Sequence, residues 1–244
     1  LRKVKHLLIK RILREEPEMR NFSFGNKSLS AIAGLAIFLI NFMVISSPEA
    51  KEVFSYKIMI QEKEAGKMIY EVEEENDLLQ IRSFIKLAEE ERERDAQLTI
   101  LRDTYEPLHS QKWVRIPGGE IVIETIYEER KARITITSPE GTKEATISIP
   151  FPTFDSEEIP YLIGKLSCEK EKVISVLVPI SGMVWRGKIQ KIAQSEEEET
   201  FRFTLGGEIT YLRYQKEKPR LVELQAPQRG YNLVLEGHSQ EENN

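Results

Sequence analysis

The sequence predicts an all-β protein: a strongly curved antiparallel sheet, or an open barrel-like roll, with one short helix and preceded by an N-terminal apolar helix. Three observations lead there. Apolar and polar residues alternate with period two through nearly every segment after residue 52, as strands with one buried face do. Gly, Pro, Asn and acidic clusters punctuate that alternation at short intervals, like the turns of a meander. Helical spacing occurs in one later segment only, and one long apolar run stands near the N-terminus.

That run is residues 29–46, LSAIAGLAIFLINFMVIS, with no charge and one amide, Asn41. A hydrocarbon core about 30 Å thick takes roughly 20 apolar residues as a helix, so the run is just long enough to span it. Residues 1–28 carry eight Lys/Arg against three Glu, and basic flanks stay cytoplasmic. The expectation is a body held outside the cytoplasm, periplasmic or on the outer face of the inner membrane. Residues 29–50 then act either as a signal peptide or as a retained transmembrane anchor. The chain opens on Leu1, with Met19 as the alternative start. From Met19, Arg20 and Lys27 form the basic region of a signal peptide. Ala50 and Ser47 are candidate cleavage positions, with the ill-suited Pro48 and Ile45 behind them. Upstream, Val4, Leu7, Leu8, Ile12 and Leu13 among basic residues suit either a basic amphipathic helix or a disordered tail.

Residues 51–236 form the β domain and 237–244 a disordered polar tail. Tyr56, Ile58 and Ile60 open the domain. Glu64, Ala65, Gly66 and Lys67 read as a hairpin turn, answered by Met68, Tyr70 and Val72. Asn76 and Asp77 turn the chain into Leu79, Ile81, Ser83, Ile85 and Leu87. The charge run EEERER at 89–94 reads as a solvated hairpin end before Leu98 and Ile100. Ile121, Ile123, Thr125 and Tyr127 share a face. Glu129 and Arg130 turn the chain into Ala132, Ile134 and Ile136, and Pro139 to Gly141 turn it into Ala145, Ile147 and Ile149. Pro150 and Pro152 stop a strand, because proline has no N–H for the ladder. Ile159, Leu162, Ile163 and Leu166 then predict a helix over 156–167, with Asp155 as its cap or Pro160 in its first turn. Strands resume at 173–178 and 182–192, followed by an acidic tip at 196–199 and by Phe201, Phe203 and Leu205. Gly206 and Gly207 turn the chain into Ile209, Tyr211 and Leu212. Lys218 and Pro219 precede a strand at 221–225, and Tyr231, Leu233 and Leu235 form the last. The reading amounts to about twelve to fourteen strands.

Composition narrows the chemistry. Residues 51–244 hold 27 Lys/Arg against 36 Asp/Glu, a net charge of 27 − 36 = −9, which argues against a nucleic-acid partner. Cys168 is the single cysteine, so no internal disulfide forms. The body has two histidines, His109 and His238, the second in the polar tail. A nucleophile–histidine pair or a zinc site would therefore rest on His109 and Cys168. His109 reads as an exposed strand residue following Pro107, and Cys168 as a structural thiol closing the helix. Asp103 and Asp155 are the isolated carboxylates, the first suited to a turn and the second to a helix cap. Gly118 with Gly119, and Gly206 with Gly207, are hairpin turns; no helix follows them to make an anion site. Trp113 and Trp185 fall on strands, with core packing as their default role. No catalytic, cofactor-binding or metal residue is assigned, and the ligand-binding residues are unknown.

The order of these segments resembles the bacterial exported proteins of the domain-of-unknown-function family numbered three thousand one hundred and eight. More loosely, it is similar to lipoprotein-carrier-like β domains of the periplasm. The hairpin at 56–66, the run Asp103, Thr104, Tyr105, Glu106, Pro107, Leu108 with Ser110, the break at Ile149 and Pro150 followed by Asp155 and the helix to Leu166, and the closing hairpins from Phe201 to Leu235 carry the resemblance, over residues 53–236. It implies a strongly curved sheet in the bacterial envelope and supplies no activity or site residue. The expected function is non-catalytic: binding an apolar or amphipathic ligand, such as a lipid, or an envelope protein. The alternatives are an assembly component that binds through a sheet edge and a carboxylate-based hydrolase. The membrane itself is a partner through residues 29–46.

Overall fold

The computed structural model describes residues 49–88, 93–116, 118–166, 168 and 170–241. The basic head and the apolar run lie outside the described residues, as do most of the charge run at 89–94 and the last residues of the tail. Eight strands come first: β1 (Glu49–Ile60), β2 (Lys63–Glu75), β3 (Leu78–Leu87), β4 (Glu93–Leu101), β5 (Pro107–Ile116), β6 (Gly119–Glu128), β7 (Lys131–Ser138) and β8 (Gly141–Ser148). A three-residue strand, β9 (Thr153–Asp155), leads into the helix α1 (Ile159–Lys165). Six more strands follow: β10 (Glu171–Val178), β11 (Met183–Gln194), β12 (Glu198–Leu205), β13 (Glu208–Gln215), β14 (Arg220–Ala226) and β15 (Tyr231–Glu241).

All fifteen strands belong to one sheet, in the order β8-β7-β6-β5-β4-β3-β2-β1-β15-β14-β13-β12-β11-β10-β9. Neighbours run antiparallel except β9, which is parallel to β10. β8 and β9 are the two edges, yet only residues 149–152 separate them in sequence. A connection that short reaches at most about 18 Å, so the sheet must curl until its ends approach. It curls without closing, because β8 and β9 share no ladder. Register shifts in the pairs β1–β15, β4–β5, β11–β12 and β13–β14 supply local bending.

The concave face holds the core. Its larger apolar cluster joins Phe54, Tyr56, Val72, Leu79, Ile81, Leu98 and Ile100 to Phe201, Phe203, Leu212 and Tyr214, with Leu162 and Ile163 of α1 in the middle. A smaller cluster packs Ile123, Tyr127, Ala132 and Ile134 against Leu177 and Ile149. There β6 and β7, near one edge, face β10, near the other.

Several sequence expectations need correction. The hairpin turn after β1 lies at Gln61 and Glu62, both at positive φ, and not at Gly66. Gly66 is inside β2, where a Cβ would stand 2.2 Å from the Lys86 carbonyl oxygen; close backbone approach selects glycine here. β1 starts at Glu49, inside the segment assigned to the signal or anchor. The tail from 237 is not disordered as far as Glu241: β15 continues there, paired with β1 from Ile60 to Lys51. The helix is shorter than 156–167, with Pro160 in its first turn and no side-chain cap. Asp155 ends β9 and is not the capping residue. The fifteen strands among the described residues exceed the twelve to fourteen expected because the three-residue β9 gives too short a pattern to read.

Candidate functional site

Where β5 and β6 cross the interior, alternation places polar residues on the concave face. Ser110 and Lys112 of β5 and Thr125 of β6 are all buried, with Tyr127 beyond them. Facing them are Asp155 at the end of β9 and the turn 156–158 that starts α1. The Asp155 carboxylate is the hub. Its Oδ1 accepts from Lys112 Nζ at 2.9 Å and from the Glu157 backbone N–H at 2.8 Å, and its Oδ2 accepts from the Tyr127 hydroxyl at 2.6 Å. Lys112 Nζ also lies 3.4 Å from Ser156 Oγ and 3.4 Å from Glu157 Oε1. Glu157 in turn accepts from Arg94 and, at 3.4 Å, from Ser83 Oγ. Glu158 is wholly buried; its Oε1 accepts the Asp155 N–H at 2.5 Å.

Electrostatics in this cluster follows from burial. Desolvation lowers the Lys112 pKa, opposed by Asp155 and reinforced by the Arg94 charge. Burial, with Asp155 next, pushes Glu158 well above the ordinary carboxylate range, so it holds its proton. With Glu158 neutral, Lys112 and Arg94 balance Asp155 and Glu157. Burial and then the Asp155 charge likewise raise Tyr127, which stays a hydroxyl donor. Within the cluster, the buried Thr125 Oγ1 and Glu158 Oε2 make no hydrogen bond.

A second feature lies toward the apolar end of the interior. Phe54, Tyr56, Met68, Tyr70, Leu221 and Leu233 line a recess against Pro160 and Tyr161, and Glu52 and Arg220 also line it. Its volume is about 30 Å³, enough for water and too small for a ligand. α1 packs into the same apolar cluster through Ile159, Leu162 and Ile163. Tyr214 Oη donates to the Pro160 carbonyl at 2.7 Å, and Tyr70 Oη to that of Glu157 at 3.4 Å. Arg220 lies over the Phe54 ring, 6.0 Å from its centroid, and His238 of β15 stacks on the same ring at 4.9 Å.

The residues singled out in the sequence do not come together. Asp103 is in the turn after β4, with its side chain 86% exposed. His109 points out of the sheet toward Glu124, Nε2 to Oε1 3.1 Å, on β5, an inner strand of the sheet. Cys168 follows α1 and does not close it; the thiol is buried 3.9 Å from the Ile189 carbonyl oxygen. Trp113 and Trp185 are not in the core: Trp185 is exposed on β11, and Trp113 is out of phase with the buried Lys112. Gly118 and Gly119, and Gly206 and Gly207, do make turns at positive φ. Of the candidates, only Asp155 belongs to a built site. Lys112 and Glu158 escaped notice, although a lysine in phase with Ser110 on a half-buried strand is a signal, since lysine is seldom buried unless paired.

Among solved structures, the chain is similar to the crystal structure of a β-barrel-like protein of domain of unknown function DUF1849 from Brucella abortus. The two share 11% identity at a TM-score of 0.50, over 80% of this chain and 99% of that one. No family model matches the chain, and no curated protein matches it. At this identity the likeness is one of fold: a β-barrel-like domain, known in a bacterial protein of unknown function.

Proposed function

We propose that the chain is a non-catalytic binding protein of the bacterial cell envelope, taking an apolar or amphipathic ligand into the concave side of its sheet. One observation carries the reading: the recess beside α1, walled mainly by the apolar and aromatic side chains Phe54, Tyr56, Met68, Tyr70, Leu221 and Leu233. A concave apolar wall with few polar groups is the usual form of a ligand site. The occupant would displace α1, a seven-residue helix, from the recess side. The envelope setting rests on the basic flank before residues 29–46, and membership of the family numbered three thousand one hundred and eight rests on segment order. A non-catalytic role is favoured by the scatter of Asp103, His109 and Cys168 over separate surfaces and depths.

Native mass spectrometry of the full chain purified from its membrane tests the binding. A co-purified lipid mass, lost in Met68→Trp, is the expected result. A bare protein that also fails to take up a fluorescent fatty acid would overturn it. For the setting, a reporter active only outside the cytoplasm, fused after Asn244, should be active. Silence of a stably expressed fusion would count against it.

A second reading has its own observation. Strand β8 pairs only with β7, and its first four residues are exposed. Such an edge can accept a strand from an envelope partner. A proline at Thr146, which would block pairing without touching the recess, separates the two readings.

A further inference from the structure

We propose that Lys112 and Asp155 are the two ends of an intramolecular amide bond, which the folded chain makes for itself by condensing the lysine amine with the aspartate carboxyl group. The geometry is that of reactants already in place. Lys112 Nζ stands 2.9 Å from Asp155 Oδ1, and both side chains are almost wholly removed from solvent. They come from β5 and β9, elements far apart in the chain that fold against each other, so the fold fixes their approach. Holding reacting groups in contact replaces a bimolecular encounter, which is among the larger rate effects a protein can supply.

The step balances without a co-reactant. An ammonium and a carboxylate, –NH3+ and –OOC–, become –NH–CO– and one water. Two protons leave Nζ, and both depart with the Asp155 oxygen that is lost; net charge is zero before and after. The two carboxylate oxygens have different surroundings. Oδ2 accepts from the Tyr127 hydroxyl at 2.6 Å, a donor placed where negative charge develops as nitrogen adds to the carbon. Oδ1 faces Lys112 and is the oxygen that leaves. Glu157 Oε1, 3.4 Å from Nζ, is within reach to take the first proton and hand it on. Glu158 touches the Asp155 backbone, not the reacting atoms; it is a positioning residue.

Three further observations favour the amide over the ion pair. Burial and Arg94 lower the Lys112 pKa, which raises the neutral, nucleophilic fraction. The pair is buried: Lys112, Asp155, Ser110, Thr125 and Glu158 are all shielded from solvent, and Tyr127 packs with Ile123 and Leu177. In such a medium an ion pair carries a desolvation penalty that a neutral amide does not, and the water released has no reason to return. Finally, the bond would tie the edge strand β9, which is only three residues long, covalently to the middle of the opposite arm.

The test is the intact mass of the full chain under denaturing conditions. A deficit of one water, about 18 Da, is expected, together with a branched peptide joining the segments around Lys112 and Asp155 after digestion. Lys112→Arg should restore the full mass, and Tyr127→Phe should slow the reaction so that full-mass protein accumulates in fresh preparations. An unaltered mass in the natural chain, whatever the variants do, overturns the proposal. So does the same deficit in a linear peptide, which would place a cyclised imide at Asp155 and Ser156.

Discussion

Strands β3 and β5 present the same alternation to the interior, and they bury opposite things. β3 turns in Leu79, Ile81 and Ser83, the first two into the apolar cluster that includes Leu162 and Ile163. β5 turns in Ser110 and Lys112, which meet Asp155 and the turn leading into α1. Ser83, which reaches Glu157, marks the change from one regime to the other. The period of a strand decides which side chains are inside. What stands across the interior decides whether a buried group can be charged. A lysine at Ile81 would stand in the apolar cluster.

The largest expected effect breaks the polar side. Lys112→Ala leaves Asp155 buried beside Glu157 with its cation gone, and should lower stability by about 3–5 kcal/mol, read from chemical denaturation. Replacing both partners, Lys112→Met with Asp155→Leu, should give a more stable protein than Lys112→Ala, because no uncompensated charge remains. If the double variant were the weaker one, packing rather than charge would rule this region.

On the apolar side, Leu162→Ala removes a fully buried side chain from the centre of the larger cluster and should cost about 2–5 kcal/mol, according to how far the cavity collapses. An effect under 1 kcal/mol would mean that α1 is loosely seated, as the proposed displacement by a ligand would favour.

Glu158 sharpens the contrast through pH. Its folded pKa is raised well above the ordinary 4.5, so the folded state binds more protons than the unfolded one above that value. The contribution is complete below the unfolded pKa and fades as pH climbs through the folded one, by about 1.4 kcal/mol per pH unit in between. Glu158→Gln keeps an acceptor for the Asp155 N–H and removes the titration. Its stability relative to the natural chain should rise with pH from about 4.5 upward, seen as converging or crossing melting curves. The smallest effect belongs to a neutral bond: Tyr214→Phe loses the donation to the Pro160 carbonyl and should cost about 1 kcal/mol.

Much of this fold was legible in the sequence because a meander writes itself locally. Asn76 with Asp77, Glu129 with Arg130, and Gly206 with Gly207 fall between strands as their turn chemistry requires. Gly66 misled because a glycine selected for close approach to Lys86 looks the same as one selected for a turn. The polar extension of β15 looked like a tail because its partner, β1, lies at the other end of the chain. The site failed for the same reason. Asp155 was noticed as an isolated carboxylate, but its meaning depends on Lys112 and Tyr127, which only the curl of the sheet brings to it. Local periodicity carries no record of what lies across an interior.

The sheet order has a consequence for how the chain reaches this state. The described chain begins in the middle of the sheet and builds outward in two arms, and the arms are joined through the pairing of Ile60 with Tyr231 and onward to Lys51 with Glu241. Almost every other ladder closes a short hairpin, whereas this one closes a loop on the order of 170 residues, at an entropic disadvantage of about 3–4 kcal/mol relative to a hairpin. It should therefore form late, after each arm has folded as its own meander. A circular permutant opened within 149–152, with β15 linked to β1, would turn the slowest pairing into another hairpin. The strands would then follow one another in sheet order from β9 through β15 and β1 to β8, with the parallel step from β9 through α1 to β10 as the one crossover among the described residues, and the same roll should refold faster.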